Sequence, residues 1–284
     1  YKYYREYTMK ILITGYKGFI AQNLGRYLHK QGHDVEGFDW IPNTLPAVDF
    51  YDQIIHLGAI SETTCTDVEA VMDQNLDFST RLLGLCEAHG TNLMYASSAS
   101  VYGPLKNCKE TAPCLPKSPY AWSKYLFDRV VTSADISSFG CRVQGFRYFN
   151  VFGEYEDHKG AQASIFHQFR KQALGGCIKP FINSDNYYRD FIYVGDICKI
   201  TEKFLDIDES GIWNVGSGHA ESIGTVAKFM AERMNVPIEE VEIPTSLLGQ
   251  YQEYTCSDNT KLLNTIGDFK FTTPYEWMEN GNKT

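Results

Sequence analysis

Lys10-Ile11-Leu12-Ile13-Thr14-Gly15-Tyr16-Lys17-Gly18-Phe19-Ile20-Ala21-Gln22-Asn23-Leu24 is the stretch on which the reading of the fold turns. Its first five residues form a short β-branched run, and Ile20, Leu24, Tyr27 and Leu28 then recur at helical spacing until Gly32. The pattern predicts strand, turn and helix. At the turn, Gly15, Gly18 and Ala21 spell G-x-x-G-x-x-A. The first small residue permits the turn, the second lets backbone N–H groups approach a pyrophosphate, and the alanine allows helix and sheet to pack closely. By itself this spacing describes many tight turns. A second strand, Val35 to Phe38, stops at Asp39, about 20 residues on, where a carboxylate accepts hydrogen bonds from adenosine ribose hydroxyls. The combination predicts a dinucleotide site that includes Gly15, Gly18, Phe19, Ile20 and Asp39. No Lys or Arg occurs from residue 40 to residue 80, so a cation for a 2′-phosphate is missing locally. NAD is expected, with NADP disfavoured.

Outward from this unit, Gln53–Leu57 and Leu93–Ala96 read as buried strands, 67–89 and 118–135 as helices, and Arg142–Phe146 as a further strand. That alternation predicts an α/β fold, a Rossmann-like doubly wound parallel sheet. Only residues 40–55 separate Asp39 from His56, too few for a crossover helix and strand, so the sheet is expected to lack one outer strand. Pro42, Pro46 and Asp49 are candidates to blunt the edge left behind. Past residue 150 the alternation loosens into a helix near 162–174, a strand near 188–193, a helix near 196–206 and a Ser222-capped helix to about 234. The expected division is a dinucleotide-binding domain over 9–150 and a smaller α+β substrate lobe over 151–284, with return strands to the sheet possible. Residues 1–8 read as an upstream extension without a structural role.

Bulk properties narrow the function. The chain has 284 residues, is 43% apolar and carries a net charge of −9 from scattered acids. No basic block suits a nucleic acid or an anionic membrane, and no apolar run suits a membrane span. The eight cysteines fall at irregular spacings without a C-x-x-C pair, a pattern of buried free thiols rather than disulfides or a metal site. A cytoplasmic protein, assembled as a homo-oligomer, is expected.

Tyr120-Ala121-Trp122-Ser123-Lys124 is Y-x-x-x-K on the helix expected over 118–135, which places phenol and ammonium on one face. A tyrosine titrates near pH 10 in water, and a neighbouring ammonium stabilises its phenolate, giving a general base. Ser98 stands in Ala96-Ser97-Ser98-Ala99-Ser100 at the carboxyl end of a strand, where doubly wound sheets hold ligands. It is placed to bond the hydroxyl that Tyr120 deprotonates. Three elements in this order predict hydride chemistry.

With these motifs the chain resembles the extended short-chain dehydrogenase/reductases over nearly its whole length from Met9. The resemblance implies that Lys124 also binds the nicotinamide ribose and that His56-Leu57-Gly58-Ala59, Asn75 and Val151 line the cofactor. The second half looks like the ADP-L-glycero-D-manno-heptose 6-epimerases, through Gly145-Phe146-Arg147-Tyr148-Phe149-Asn150-Val151-Phe152-Gly153, His158-Lys159-Gly160, Tyr188-Arg189-Asp190-Phe191-Ile192-Tyr193 and Leu248-Gly249-Gln250-Tyr251-Gln252. By that likeness Asn150, His167, Phe181, Ser184, Arg189 and Tyr251 bind a nucleotide-diphosphate sugar. Lys159 becomes a second acid/base beside Tyr120. Ala161 departs from the likeness, standing where a substrate-binding serine is usual. The implied reaction oxidises the sugar at C6 to a transient ketone with bound NAD and returns the hydride to the other face. A UDP-hexose 4-epimerase is the nearest rival. A dehydratase is disfavoured by Ala99-Ser100, and an idle dinucleotide-binding scaffold by the complete Ser98/Tyr120/Lys124 set.

Overall fold

A computed structural model describes residues 8–133, 139–245 and 252–280. The decisive stretch folds as read, with β1 (Lys10–Thr14) followed by α1 (Phe19–Lys30) and then β2 (Asp34–Phe38). Phe19, Ala21, Leu24, Gly25 and Leu28 form the buried stripe of α1, and His29 and Lys30 sit at its negative C-terminal end. After β3 (Gln53–His56), the helix expected over 67–89 is broken into α2 (Val68–Met72), a π turn (Asp73–Asp77) and α3 (Phe78–His89). Then come β4 (Asn92–Ser98), α4 (Pro119–Ser133), β5 (Val143–Tyr148) and β6 (Asn150–Phe152). The later elements are α5 (Ile165–Leu174), β7 (Tyr188–Tyr193), α6 (Val194–Phe204), β8 (Gly211–Val215), β9 (Ala220–Ser222), α7 (Ile223–Met234) and β10 (Tyr254–Thr255).

The chain divides into two compact units, each assembled from separate stretches. The first holds residues up to Ser98, Ser118–Arg147 and Cys198–Trp213. Its six-stranded sheet has the order β2-β1-β3-β4-β5-β8, with β2–β1, β1–β3 and β3–β4 parallel. Burial follows position in the sheet: every residue of β3 and β5 is buried, whereas every residue of β2 is exposed or half-exposed. A strand buried along its whole length sits where helices cover both faces, and an edge strand tolerates charge. Leu12, Ile54, Leu82, Leu93, Phe127 and Val143 meet in one apolar cluster, and each such side chain contributes roughly 1.5–3 kcal/mol when fully buried. Phe146, Phe204 and Trp213 add edge-on ring pairs at 4.8 Å.

Among the described residues the outer strand is missing, as expected, and β2 ends the sheet with β1 as its partner. The edge strand carries an acid of its own, Glu36. Glu36 pairs with Lys10 at 3.2 Å and accepts from the Tyr51 hydroxyl at 2.7 Å. A carboxylate held along the edge opposes docking of another strand.

The second unit comprises Ala99–Lys117, Tyr148–Ile197 and the residues from Asn214 onward. Its sheet runs β10-β7-β6, with β9 antiparallel to β7. Asn150 opens β6 in register with Phe191. The Ser222 hydroxyl caps α7 by accepting from the Thr225 N–H at 2.9 Å, as the capping pattern requires. Among the described residues no helix is long and apolar enough to cross a membrane.

Candidate active site

The glycine turn has the backbone its sequence demands. Gly15 adopts φ +70°, and a Cβ there would stand 2.5 Å from the Gly58 Cα, so the turn and the Leu57-Gly58-Ala59 segment touch through backbone alone. Gly18 is the N-cap of α1 and offers no side chain to the first-turn N–H groups. Those donors, at the positive end of a twelve-residue helix, form a ready anion site. Asp39 follows β2, and Ala21 is buried against the sheet. The set fits a dinucleotide, which would put its pyrophosphate at Gly15, Gly18, Phe19 and Ile20 and its ribose at Asp39. Gly15→Ala is expected to weaken NAD binding at least tenfold and to cost about 1–3 kcal/mol of stability, through strain at positive φ and collision with Gly58. Calorimetry and thermal melting measure both. An unchanged affinity would overturn this placement.

One expectation about the ribose end is corrected. A cation does stand beside Asp39: Lys17, in the glycine turn itself, places Nζ 3.6 Å from Oδ2 while its backbone N–H donates to Oδ1 at 3.1 Å. Lys17 precedes Asp39 in sequence, so a search of the residues after Asp39 could not find it. Its side chain is 87% exposed, and such a pair adds little to stability. It does offset part of the repulsion between Asp39 and a 2′-phosphate. NAD is expected to bind about tenfold more tightly than NADP, and Lys17→Ala to widen the gap by up to about fivefold. Calorimetric titration of both cofactors tests this, and a preference for NADP would refute the role given to Asp39.

Ser98, Tyr120 and Lys124 all belong to the first unit. Ser98 ends β4, and its hydroxyl hydrogen-bonds the Tyr120 phenol near the start of α4. One turn on, Lys124 Nζ lies 6.0 Å from the Tyr120 ring centre and donates to the Ala96 carbonyl at 2.8 Å. Burial pushes the Tyr120 phenol above its usual range, and the Ser98 hydrogen bond is what opposes it. The expected lowering by Lys124 is therefore not what governs the phenol here. Burial acts on Lys124 as well, bringing it down to about 8. Neither group is comfortable when charged in so dry a place.

Asn75 sits in the π turn with its amide fully engaged. Its Oδ1 accepts from the Ile60 N–H at 2.8 Å, while Nδ2 donates to the Ile60 carbonyl at 3.0 Å and to Ser123 Oγ at 3.1 Å. Ser123 in turn donates to the Tyr120 carbonyl at 2.8 Å. Asn75 thus ties the segment after Leu57-Gly58-Ala59 to the helix that carries Tyr120. His56 is buried beneath them, and burial takes it down to about 3, so it is neutral. Because Ser79 Oγ spends its hydrogen on the Asn75 carbonyl, His56 Nε2 must carry the proton that Ser79 accepts. Nδ1 is left to accept from the Thr14 hydroxyl.

The second unit gathers the other sequence candidates. Asn150 and Val151 lie on β6, and Arg189 on β7 in register with Thr255. Arg189 is only 8% exposed and donates to the Tyr188 carbonyl at 2.8 Å. Asn150 Nδ2 donates to the Asp190 carbonyl and to Thr255 Oγ1, both at 3.3 Å. Ser184 is buried, and its N–H donates to the Phe181 carbonyl at 3.0 Å. His167 lies in the first turn of α5, 3.8 Å from the exposed Asp157 carboxylate. Lys159 sits between these elements in a 3₁₀ segment, Asp157–Gln162, and burial lowers its ammonium. Buried Glu156 opposes that shift and anchors the segment by accepting from Gly153 N–H, Ser164 N–H and Ser164 Oγ. Sequence reading passed over Glu156, whose only local mark is an acid three residues before Lys159. Tyr251 lies outside the described residues.

Residues 11–216 match the NAD dependent epimerase/dehydratase family. The chain belongs to that family. Its NAD dependence agrees with the glycine turn and Asp39, and its extended short-chain dehydrogenase resemblance is thereby confirmed. Among solved structures, this epimerase/dehydratase chain is similar to the ADP-L-glycero-D-manno-heptose-6-epimerase of Helicobacter pylori, at 24% identity and TM-score 0.82, covering 96% of this chain and 95% of that one. The UDP-N-acetylglucosamine 4-epimerase of Methanobrevibacter ruminantium gives 23% and 0.83, covering 95% of each. The UDP-glucose 4-epimerase of Thermus thermophilus, solved with NAD, gives 25% and 0.76, covering 90% and 92%.

Proposed function

We propose that this family member inverts a carbon of a nucleotide-diphosphate sugar, with ADP-glycero-manno-heptose as substrate and C6 as the centre. The observation that carries the reading is the buried Ser98–Tyr120–Lys124 arrangement in the same compact unit as a glycine turn that suits a dinucleotide. NAD, when bound, supplies the hydride acceptor and donor. Tyr120 moves the proton of the reacting hydroxyl, and Ser98 donates to the phenol oxygen as negative charge develops there. Lys124 holds the nicotinamide ribose. Asn75 keeps α4 and the cofactor-lining Leu57-Gly58-Ala59 segment in register.

In the second unit Arg189, a planar fork held by its own strand, suits a diphosphate, and Phe181 and Ser184 border the nucleotide. Asn150 and His167 serve the sugar, and Val151 the cofactor. Lys159 is the second proton carrier, needed because a ketone that turns over presents its oxygen in a new direction. The His158-Lys159-Gly160 motif favours the heptose substrate. Ala161 favours a UDP-hexose 4-epimerase as the second reading, since it removes a polar contact expected of the first. Mass spectrometry of ligands released from purified protein, followed by turnover on ADP-heptose, UDP-glucose and UDP-N-acetylglucosamine, separates them. Activity on ADP-heptose at least tenfold above the UDP-sugars is expected. The reverse order would replace the heptose with a hexose.

A further inference from the structure

Asp128 lies one turn beyond Lys124 on α4 and is 1% exposed. Its Oδ1 accepts from the Tyr95 hydroxyl at 3.0 Å, and its Oδ2 from Ser97 Oγ at 3.0 Å and Arg147 Nε at 2.8 Å. Arg147 is itself 5% exposed, so this is a buried ion pair wedged between two hydroxyls. The wedge is rigid. Tyr95 packs edge-on against Phe127 at 4.8 Å, and its ring lies where Gly145 would carry a Cβ, 2.4 Å from Cζ. Any side chain at Gly145 would displace Tyr95 from the carboxylate. Buried pairs of this kind are poor sources of stability, because apolar replacements of similar volume are often neutral or better. A second role is therefore worth seeking in what the carboxylate faces, and one turn away on the same helix is the Lys124 ammonium.

We propose that Asp128 is a positioning residue for the cofactor-site lysine: a counter-charge, anchored by Tyr95, Ser97 and Arg147, that keeps Lys124 cationic while its Nζ donates to the Ala96 carbonyl. The inference rests on the assignment of Lys124 to the cofactor site. Because the carboxylate oxygens are taken by other donors, Asp128 acts on Lys124 through space, where a dry surrounding strengthens the attraction. Burial drives Lys124 toward the neutral amine, and Asp128 is the group that opposes it. The remaining neighbours do not supply that charge. Tyr120 on α4 and Tyr95 on β4 are held protonated, and His56 on β3 is neutral. Arg147 on β5 is positive, and Asp73 and Asp77 of the π turn that packs on α4 are exposed.

The test is a carbon-13 NMR titration of the full chain labelled at lysine Cε, with the Lys124 resonance assigned through Lys124→Arg. Wild-type protein is expected to give a midpoint near 8. Removing a nearby negative charge disfavours the ammonium, so Asp128→Asn should lower the midpoint by about one pH unit or more. Asp128→Glu, which keeps the charge, should lie closer to wild type. Should the single change leave Arg147 too costly to bury, the double variant Asp128→Asn/Arg147→Met removes both charges and should still titrate below wild type. A folded Asp128→Asn or double variant with the wild-type midpoint would overturn the proposal. The titration needs neither cofactor nor substrate, whereas undiminished NAD binding by Lys124→Met would instead refute the assignment on which the proposal rests.

Discussion

Tyr120→Phe is expected to lower the turnover rate by about 10²–10⁴-fold while leaving NAD affinity within about threefold of wild type. The substitution removes one oxygen and preserves the ring, so α4 and the Asn75–Ser123 bonds that seat it remain. What disappears is the proposed proton carrier, in contact with Ser98. In the resting chain that phenol is held protonated by burial, so its charge is favoured only when the Ser98 donor and the occupants of the site stabilise it. An isolated loss of turnover is the signature of a group that acts in the transition state. Single-turnover absorbance of enzyme-bound NADH, alongside calorimetry with NAD, separates chemistry from binding. Turnover within tenfold of wild type would dismiss Tyr120 as the general base and, with it, the proposed reaction.

Lys159→Met should slow turnover by about a hundredfold or more with modest change in KM, if Lys159 is a second proton carrier. Methionine keeps most of the side-chain length and removes the charge. Burial already lowers the Lys159 ammonium, with Glu156 opposing, and a lysine so balanced exchanges protons more readily than one in water. A phosphate partner would behave differently: its loss would chiefly raise KM, because a charge that pairs equally in ground and transition states contributes uniform binding. A mutant with unchanged turnover would leave Tyr120 to serve both orientations of the ketone. Glu156→Gln offers an independent reading, since it preserves the bonds of the segment in part yet withdraws the negative charge beside Lys159. It should depress turnover less than Lys159→Met does.

The sequence by itself determined those features whose cause is local. Strand, glycine turn and helix over Lys10–Lys30 follow from β-branching, positive φ and helical periodicity within one short window, and the Ser222 cap follows from four consecutive residues. Tyr120 and Lys124 share a face because helical geometry puts positions four apart together wherever a helix forms. Even the missing outer strand was a matter of counting residues between Asp39 and His56.

Only the tertiary structure decided the partners. Lys17 meets Asp39 across 22 positions and Asn75 meets Ser123 across 48, while Asp128 finds Arg147 across a helix and a strand. Gly145 is required by the Tyr95 ring lying over it, a reason no neighbour in sequence announces. The two-residue β10 and three-residue β6 and β9 carry too little pattern to be recognised, because their pairing with β7 creates them. Periodicity records which way a side chain must face. What it meets there, and so the charge its neighbours impose on it, exists only once segments distant in sequence have packed.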